Sequence, residues 1–194
     1  ERTKMSTAPT TEAKTQSTQV AIIGSGFGGL AMAIRLLQAN IHDFIILEKA
    51  DDVGGTWREN QYPGAACDVQ SHMYSLSFAP KTDWSKRYAE APEIFDYIQD
   101  LIQQFNLKKY IQFNQEVVST RYDEHNFNWH LTLKSGQKID AQFVIFASGP
   151  LHVPQIPKIK GVEKFKGEVF HIDHLISPEQ LVIEYMRRLI EYPG

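Results

Sequence analysis

Apolar and polar positions in the first quarter of the chain alternate between strand and helix spacing. Residues 19–23 form an apolar, β-branched run of strand length, and residues 43–47 form a second one that ends at Glu48. Between them, apolar residues recur at helical spacing, and Asn40 is suited to end that helix. The apolar helix positions are Phe27, Leu30, Ala31, Ile34 and Leu37. The pattern predicts a strand–helix–strand unit.

The next part of the chain changes from irregular to helical. Residues 49–91 are rich in Gly, Pro, Tyr, Ser and Asp, and an irregular region of this length is usually functional. Residues 92–106 return to helical spacing, with Pro92 suited to the first turn. We expect one amphipathic helix there.

Short strands follow the second helix. Apolar runs at about 110–113, 115–123 and 127–134, separated by turn residues, predict a small antiparallel β-meander at about 110–134. Residues 142–147 are continuously apolar, which is typical of a central parallel strand covered on both faces. The predicted fold class is therefore α/β, with a parallel sheet, helices and a small antiparallel meander.

The two ends of the chain read differently from its centre. Residues 1–18 lack periodicity and are expected to be a disordered tail. Residues 151–174 read as a linker, and residues 175–194 as an amphipathic helix with Ser177 as its N-cap. That helix packs on its own domain, forms a dimer contact or is a tail from an interrupted reading frame.

Composition limits the classes of function. The 194 residues carry a net charge of −3, which gives no argument for nucleic acid or an anionic membrane. No apolar stretch approaches the roughly 20 residues that span a bilayer, and no signal peptide is recognisable. The one cysteine, Cys67, excludes an internal disulfide and suits a cytoplasmic location.

The turn between the first strand and the first helix carries the pattern Gly24-x-Gly26-x-x-Gly29. The first glycine permits the tight turn, the second lets a pyrophosphate approach the backbone, and the third lets the helix pack closely on the sheet. The helix N-terminus then presents N–H groups and partial positive charge to the phosphates. A glycine-rich turn without a ligand is the alternative.

Glu48 ends the second strand, about twenty residues beyond the last glycine, where an acidic residue contacts a ribose in dinucleotide-binding units. It would accept hydrogen bonds from the adenosine ribose hydroxyls. Its charge would repel a 2′-phosphate, so NADP fits this site poorly.

Further glycine and aromatic motifs suggest which cofactor is bound. Residues 54–58 pair two glycines with Trp57, whose flat face suits a flat ligand, although a core position is the alternative. In residues 62–68, Asp68 either hydrogen-bonds a ligand or caps a turn, and Cys67 is a small buried residue rather than a nucleophile. His171 and His174 are too few for a metal site, so we predict none.

Together these motifs resemble the N-terminal half of flavin-dependent monooxygenases of the Baeyer–Villiger type, which are related to the flavin-containing monooxygenases. The resemblance covers about residues 19–174. The matching segments are residues 24–29, Glu48-Lys49, residues 54–57, 62–68, 71–75 and 147–150, and Phe165, Gly167 and His171 of the pattern Phe-x-Gly-x-x-x-His-x-x-x-Trp.

The resemblance implies a Rossmann-like FAD-binding domain. It assigns the pyrophosphate to residues 24–29, the ribose to Glu48, the flavin to Thr56, Trp57, Asp68 and Tyr74, and the adenine to the backbone of Val117. The cofactor-binding residues expected are Gly24, Ser25, Gly26, Phe27, Gly28, Gly29, Glu48, Lys49, Gly55, Thr56, Trp57, Asp68, Tyr74, Val117, Ala147 and Gly149.

The family activity implied is NADPH- and O2-dependent oxygenation of a small-molecule ketone, nitrogen or sulfur compound through a C4a-peroxyflavin. The resemblance ends at Leu175, which replaces the final tryptophan of the pattern, and no second Gly-x-Gly-x-x-Gly follows. No catalytic residue is assigned, and we expect a truncated chain that is not catalytically complete alone. A non-catalytic nucleotide-binding module is the alternative, and surface left uncovered would favour self-association.

Overall fold

The computed structural model describes residues 15–153 and 155–167. Its strands and helices are β1 (Gln16–Ile23), α1 (Phe27–Gln38), β2 (Phe44–Leu47), α2 (Thr56–Glu59), α3 (Ala91–Gln104), β3 (Ile111–Gln112), β4 (Val117–Asp123), β5 (Asn128–Leu133) and β6 (Lys138–Phe146). The six strands form one mixed sheet in the spatial order β3-β2-β1-β6-β5-β4. The predicted α/β class is confirmed.

The strand–helix–strand unit has the form that the sequence predicts. β1 pairs in parallel with β2 on one side and with β6 on the other. The helix α1 ends where expected, because Asn40 adopts a left-handed φ of 60°. The N–H of Ile41 then donates to the Leu36 carbonyl at 2.9 Å, as in a Schellman motif. This ending turns the chain directly into β2.

One face of the sheet is covered by α1 and α3. Side chains of β1 and β2 that point to this face form a single buried cluster with the apolar stripes of both helices. The cluster includes Val20, Ile22, Leu30, Ile34, Phe44, Ile46, Ile98 and Leu101. Burial of each such side chain contributes about 1.5–3 kcal/mol, so this layer fixes the position of α1 on the sheet.

The opposite face of β1 and β2 is covered by the antiparallel part of the structure. Ala21, Ile45 and Leu47 share a buried cluster with Leu131 of β5 and Ile139 of β6. The alternation of side chains along a strand sends neighbouring residues to opposite faces, so β1 and β2 contribute to both clusters.

The meander differs from the prediction. The strand at 111–112 pairs in parallel with β2 and is not part of the meander. The third antiparallel strand is the first half of β6, where residues 138–141 pair with β5. One long strand therefore joins the meander to the parallel sheet, and the turn signals did not reveal this because β6 is uninterrupted.

The second half of β6 is also more open than predicted. Phe143 and Phe146 are 52% and 61% exposed, so this strand is not covered on both faces by the described residues. The antiparallel pairing with β5 ends at Ala141. From residue 142 onward, no described strand pairs with the outer edge of β6.

One correction and one limit concern the ends of the chain. Residues 16–18, expected in a disordered tail, belong to β1 and pair with residues 139–141. Residues 155–167 are exposed and contain one short turn of 3-10 helix, Val162–Lys164. The predicted C-terminal helix, together with His171 and His174, lies outside the described residues. Across the described part, no helix is long and apolar enough to cross a membrane.

Candidate functional site

A large cleft lies where the parallel strands end. The backbone N–H of Gly24 donates to Leu47 O, and that of Ala147 donates to Ile23 O, both at 2.9 Å. These bonds hold the carboxyl ends of β1, β2 and β6 side by side. The cleft above them has a volume of about 1090 Å³. Ligands of open α/β sheets bind at this edge of the sheet.

The glycine turn depends on backbone geometry that a side chain would prevent. Gly24 has a φ of +103°, and a Cβ atom there would lie 2.6 Å from the carbonyl oxygen of Ala147. A Cβ atom on Gly29 would lie 2.0 Å from the carbonyl oxygen of Gly24. The first contact brings β6 against the turn, and the second brings α1 against β1, as the motif predicted.

The N-terminus of α1 opens into the cleft. Gly26 is its N-cap, no side chain caps the helix and no acidic residue lies in its first turn. Gly55 packs directly beside it, because a Cβ atom added to Gly55 would lie 3.4 Å from the Cα atom of Gly26. Two bare backbone segments therefore lie side by side where the first N–H groups of a helix lack intrahelical acceptors. This cradle fits an anionic group.

Glu48 lies at the end of β2 and is only 6% exposed. Its Oε2 atom accepts hydrogen bonds from the Ser25 N–H at 2.9 Å and the Ser25 hydroxyl at 2.6 Å. Its Oε1 atom accepts one from the Ala50 N–H at 2.9 Å. The carboxylate is therefore held by the protein itself, which the sequence did not predict.

Aromatic side chains form one wall of the cleft. The indole N–H of Trp57 donates to the hydroxyl of Tyr74 at 3.0 Å, and their rings meet edge to face at 5.7 Å. Phe27 meets Tyr74 edge to face at 5.5 Å. Burial raises the pKa of the Tyr74 phenol, and the hydrogen bond from Trp57 offsets part of this rise. The wall suits a flat conjugated ring.

The cleft carries little positive charge of its own. Among its described lining residues, Lys49 is the one lysine or arginine side chain, and its Nζ lies 3.7 Å from the Glu59 carboxylate. Glu48, Asp68 and Glu116 add negative charge. A bound diphosphate would therefore depend on backbone N–H groups and the helix dipole rather than on cationic side chains.

All but one of the expected cofactor-binding residues line the cleft. The exception is Gly29, which packs between α1 and β1. The lining residues among those expected are Gly24, Ser25, Gly26, Phe27, Gly28, Glu48, Lys49, Gly55, Thr56, Trp57, Asp68, Tyr74, Val117, Ala147 and Gly149. Their assignment to a cofactor remains a prediction.

Sequence reasoning missed part of the lining. Gln115 and Glu116 enter the cleft because the Gln115 N–H donates to Glu48 O at 2.8 Å, which draws the loop between β3 and β4 to the end of β2. Phe146 lines it from the end of β6. A loop that follows a parallel strand at its carboxyl end is the signal that would have indicated these residues.

Trp57, Cys67 and Asp68, which the sequence left open to more than one interpretation, all line the cleft. Trp57 packs against the apolar clusters and lines the cleft at the same time, so its two interpretations coexist. Cys67 is buried, and its Sγ accepts a hydrogen bond from the Val69 N–H at 3.4 Å. Asp68 is exposed at the cleft.

Comparisons with known proteins agree with this architecture. The family described as flavin-binding monooxygenase-like matches residues 17–189. A Baeyer-Villiger monooxygenase from Streptomyces coelicolor is 44% identical over 153 residues, covering 79% of this chain and 29% of that protein. One from Pseudomonas aeruginosa is 45% identical over 167 residues, covering 86% of this chain and 32% of that protein.

A crystal structure of OTEMO in complex with FAD and NADP is 34% identical, with a TM-score of 0.71. The match covers 82% of this chain and 31% of that one. The chain thus spans about a third of the length of the proteins that it matches. Since the family match extends over most of its residues, the chain belongs to the flavin-binding monooxygenase-like family.

Proposed function

We propose that the cleft binds FAD and that the chain is the FAD-binding portion of an NADPH- and O2-dependent flavoprotein monooxygenase. The observation that carries this proposal is the meeting of three features in one cavity. The uncapped N-terminus of α1, the carboxylate of Glu48 and the aromatic pair of Trp57 and Tyr74 all line it. They suit the diphosphate, the ribose and the ring system of one dinucleotide.

The chain's own residues would bind and orient the cofactor. The first amides of α1 would hold the diphosphate, with Gly26 and Gly55 allowing close approach. Glu48 would accept a hydrogen bond from the adenosine ribose, and Val117 at the start of β4 would contact the adenine. Bound FAD supplies redox chemistry with O2 that no side chain can provide.

The activity proposed is Baeyer–Villiger oxidation of small-molecule ketones, or oxygenation at nitrogen or sulfur. Support comes from the two Baeyer-Villiger monooxygenases that share 44% and 45% identity with the chain. Because the chain spans 29% and 32% of those proteins, we do not expect it to turn over substrate without further polypeptide. We propose that this activity takes place in the cytoplasm, with NADPH as a co-substrate that binds outside the described cleft.

A non-catalytic nucleotide-binding module is the second candidate. It is favoured by the charge of the cleft, because its described lining contains no lysine or arginine free of an acidic neighbour that could stabilise a developing negative charge. NADPH-dependent oxygen uptake by this chain above the background of free flavin would exclude this candidate.

Self-association is a further part of the proposal. Phe143 and Phe146 are exposed beside the edge of β6 that lacks a strand partner among the described residues. The segment from residue 142 to 146 is uncharged, and such an edge is a template for pairing with a second copy of the chain.

Cofactor binding is tested by adding FAD to the purified chain and removing unbound flavin by gel filtration. We expect the visible flavin absorbance to elute with the protein and mass spectrometry to identify FAD. Gly26→Val places a side chain in the cradle and should abolish this co-elution. Ala39→Val, at the exposed far end of α1, is the matched control and should retain it. A colourless wild-type protein would refute the proposal.

A further inference from the structure

Ser25 is a polar residue with no solvent exposure, at the turn between β1 and α1. Its amide and its hydroxyl both donate to the same atom, Oε2 of Glu48, at 2.9 and 2.6 Å. The motif assigns residues 24–29 to the pyrophosphate. The Ser25 hydroxyl, however, is fully buried and hydrogen-bonded to the Glu48 carboxylate, so it acts on that carboxylate instead. The Ser25 hydroxyl therefore acts through Glu48.

The hydrogen bonds that the described residues donate to Glu48 leave one acceptor position of its carboxylate unused. An ionised carboxylate has about four acceptor positions on its two oxygens. Ser25 fills two on Oε2 and the Ala50 N–H fills one on Oε1, at 2.9 Å. Within the described residues, the position that remains is on Oε1. Glu48 lines the cleft, so this remaining acceptor can serve a ligand there.

We infer that Ser25 is a positioning residue for ribose recognition: its hydroxyl fixes the Glu48 carboxylate so that Oε1 meets a ribose hydroxyl. This inference rests on the proposed binding of an adenine dinucleotide. It assigns to Ser25 a function in affinity for the ribose, without contact between its side chain and the ligand.

The physical reason is preorganisation. A glutamate side chain has three rotatable bonds, and ordering it when a ligand binds reduces affinity. Charge-assisted hydrogen bonds that order it beforehand remove this cost. The Ser25 carbonyl also accepts from the Gly54 N–H at 3.2 Å, so the same residue ties the glycine turn to the second glycine segment. Removal of the hydroxyl alone leaves that backbone tie in place.

The experiment measures the affinity of the full chain for ADP and for 2′,3′-dideoxy-ADP by titration calorimetry. Ser25→Ala should weaken ADP binding by about tenfold, because it removes the charge-assisted hydrogen bond that orders the Glu48 carboxylate before the ligand binds. It should change dideoxy-ADP binding by less than about twofold, since that probe has no 2′- or 3′-hydroxyl that could donate a hydrogen bond to Glu48. In a Glu48→Gln background, Ser25→Ala should have little additional effect on ADP.

Equal weakening of both probes would mean that Ser25 only supports the local fold, and it would overturn the inference. So would unchanged ADP affinity in Ser25→Ala. Should that variant not fold, Ser25→Cys keeps a side chain of similar size with a weak donor, and it should show the same selective loss. Failure of the wild-type chain to bind either FAD or ADP would instead refute the proposed function, and this inference with it.

Discussion

Two adjacent glycines of the turn should respond in opposite directions to the same substitution. A Cβ atom on Gly29 would lie 2.0 Å from the carbonyl oxygen of Gly24 and 3.0 Å from its carbonyl carbon. A Cβ atom on Gly28 would meet nothing nearer than the Ala147 Cβ, at 3.8 Å. Both residues belong to α1, so Gly29→Ala and Gly28→Ala differ mainly in this contact.

The magnitude follows from the size of the clash. Relief of the Gly29→Ala contact requires α1 to move away from β1 by roughly 1 Å, against backbone atoms that cannot rotate aside. Overpacking of this kind costs about 3 kcal/mol, and replacing a helical glycine by alanine returns at most about 1 kcal/mol. The net loss of about 2 kcal/mol lowers Tm by about 4–8 °C in a domain of this size.

Thermal and urea unfolding of the protein without added cofactor measures both variants. Gly28→Ala is the matched control, and its Tm should equal or exceed that of the wild type because it gains helix propensity without a clash. Equal unfolding temperatures for the two variants would refute the close packing of α1 on β1. That result would also remove the steric reason for the third glycine of the motif.

Three further predictions concern other parts of the structure. Tyr74→Phe removes the hydroxyl that accepts a hydrogen bond from the Trp57 indole N–H, so it should lower the free energy of unfolding in urea by about 1 kcal/mol. An unchanged urea midpoint would contradict this hydrogen bond. Phe143→Lys with Phe146→Lys should convert a self-associating chain to a monomer in light scattering, and a persistent oligomer would exclude the β6 edge. Hydrogen bonds lower the pKa of Asp123 from 3.8 to about 2, and the one from the Asn126 side chain has the largest effect. The stability that Asp123 adds relative to Asp123→Asn should therefore persist above pH 4 and fade towards pH 2; a pH-independent difference in unfolding midpoints would argue against it.

The local signals in the sequence were strong where one element decides its own conformation. Asn40 ended α1 in the left-handed conformation expected of a helix C-terminus, and Pro92 lies in the first turn of α3. The glycine spacing predicted both the strand–turn–helix order and the close packing of α1 on β1. Such features depend on φ preferences and side-chain periodicity over a few residues, so one sequence suffices to predict them.

The errors arose where pairing between distant segments decides the outcome. The run at 111–112 joined β2 in parallel, whereas its neighbours in sequence formed antiparallel pairs. Residues 138–141 were not predicted as strand, although β6 runs without a break from Lys138 to Phe146 and pairs with β5 through them. Hydrophobic periodicity predicts that a segment is extended, but it carries no information about which strand will be its partner.

The sequence by itself determined most of the residues expected to line the cleft, because their types and spacing are those that close backbone approach and ribose contact require. The tertiary structure alone decided how Glu48 is occupied: buried Ser25 donates to two of its acceptor positions and the Ala50 N–H to a third. The tertiary structure likewise drew the loop before β4 into the cleft. Hydrogen bonds between segments far apart in the chain set both features, and spacing along a sequence does not contain them.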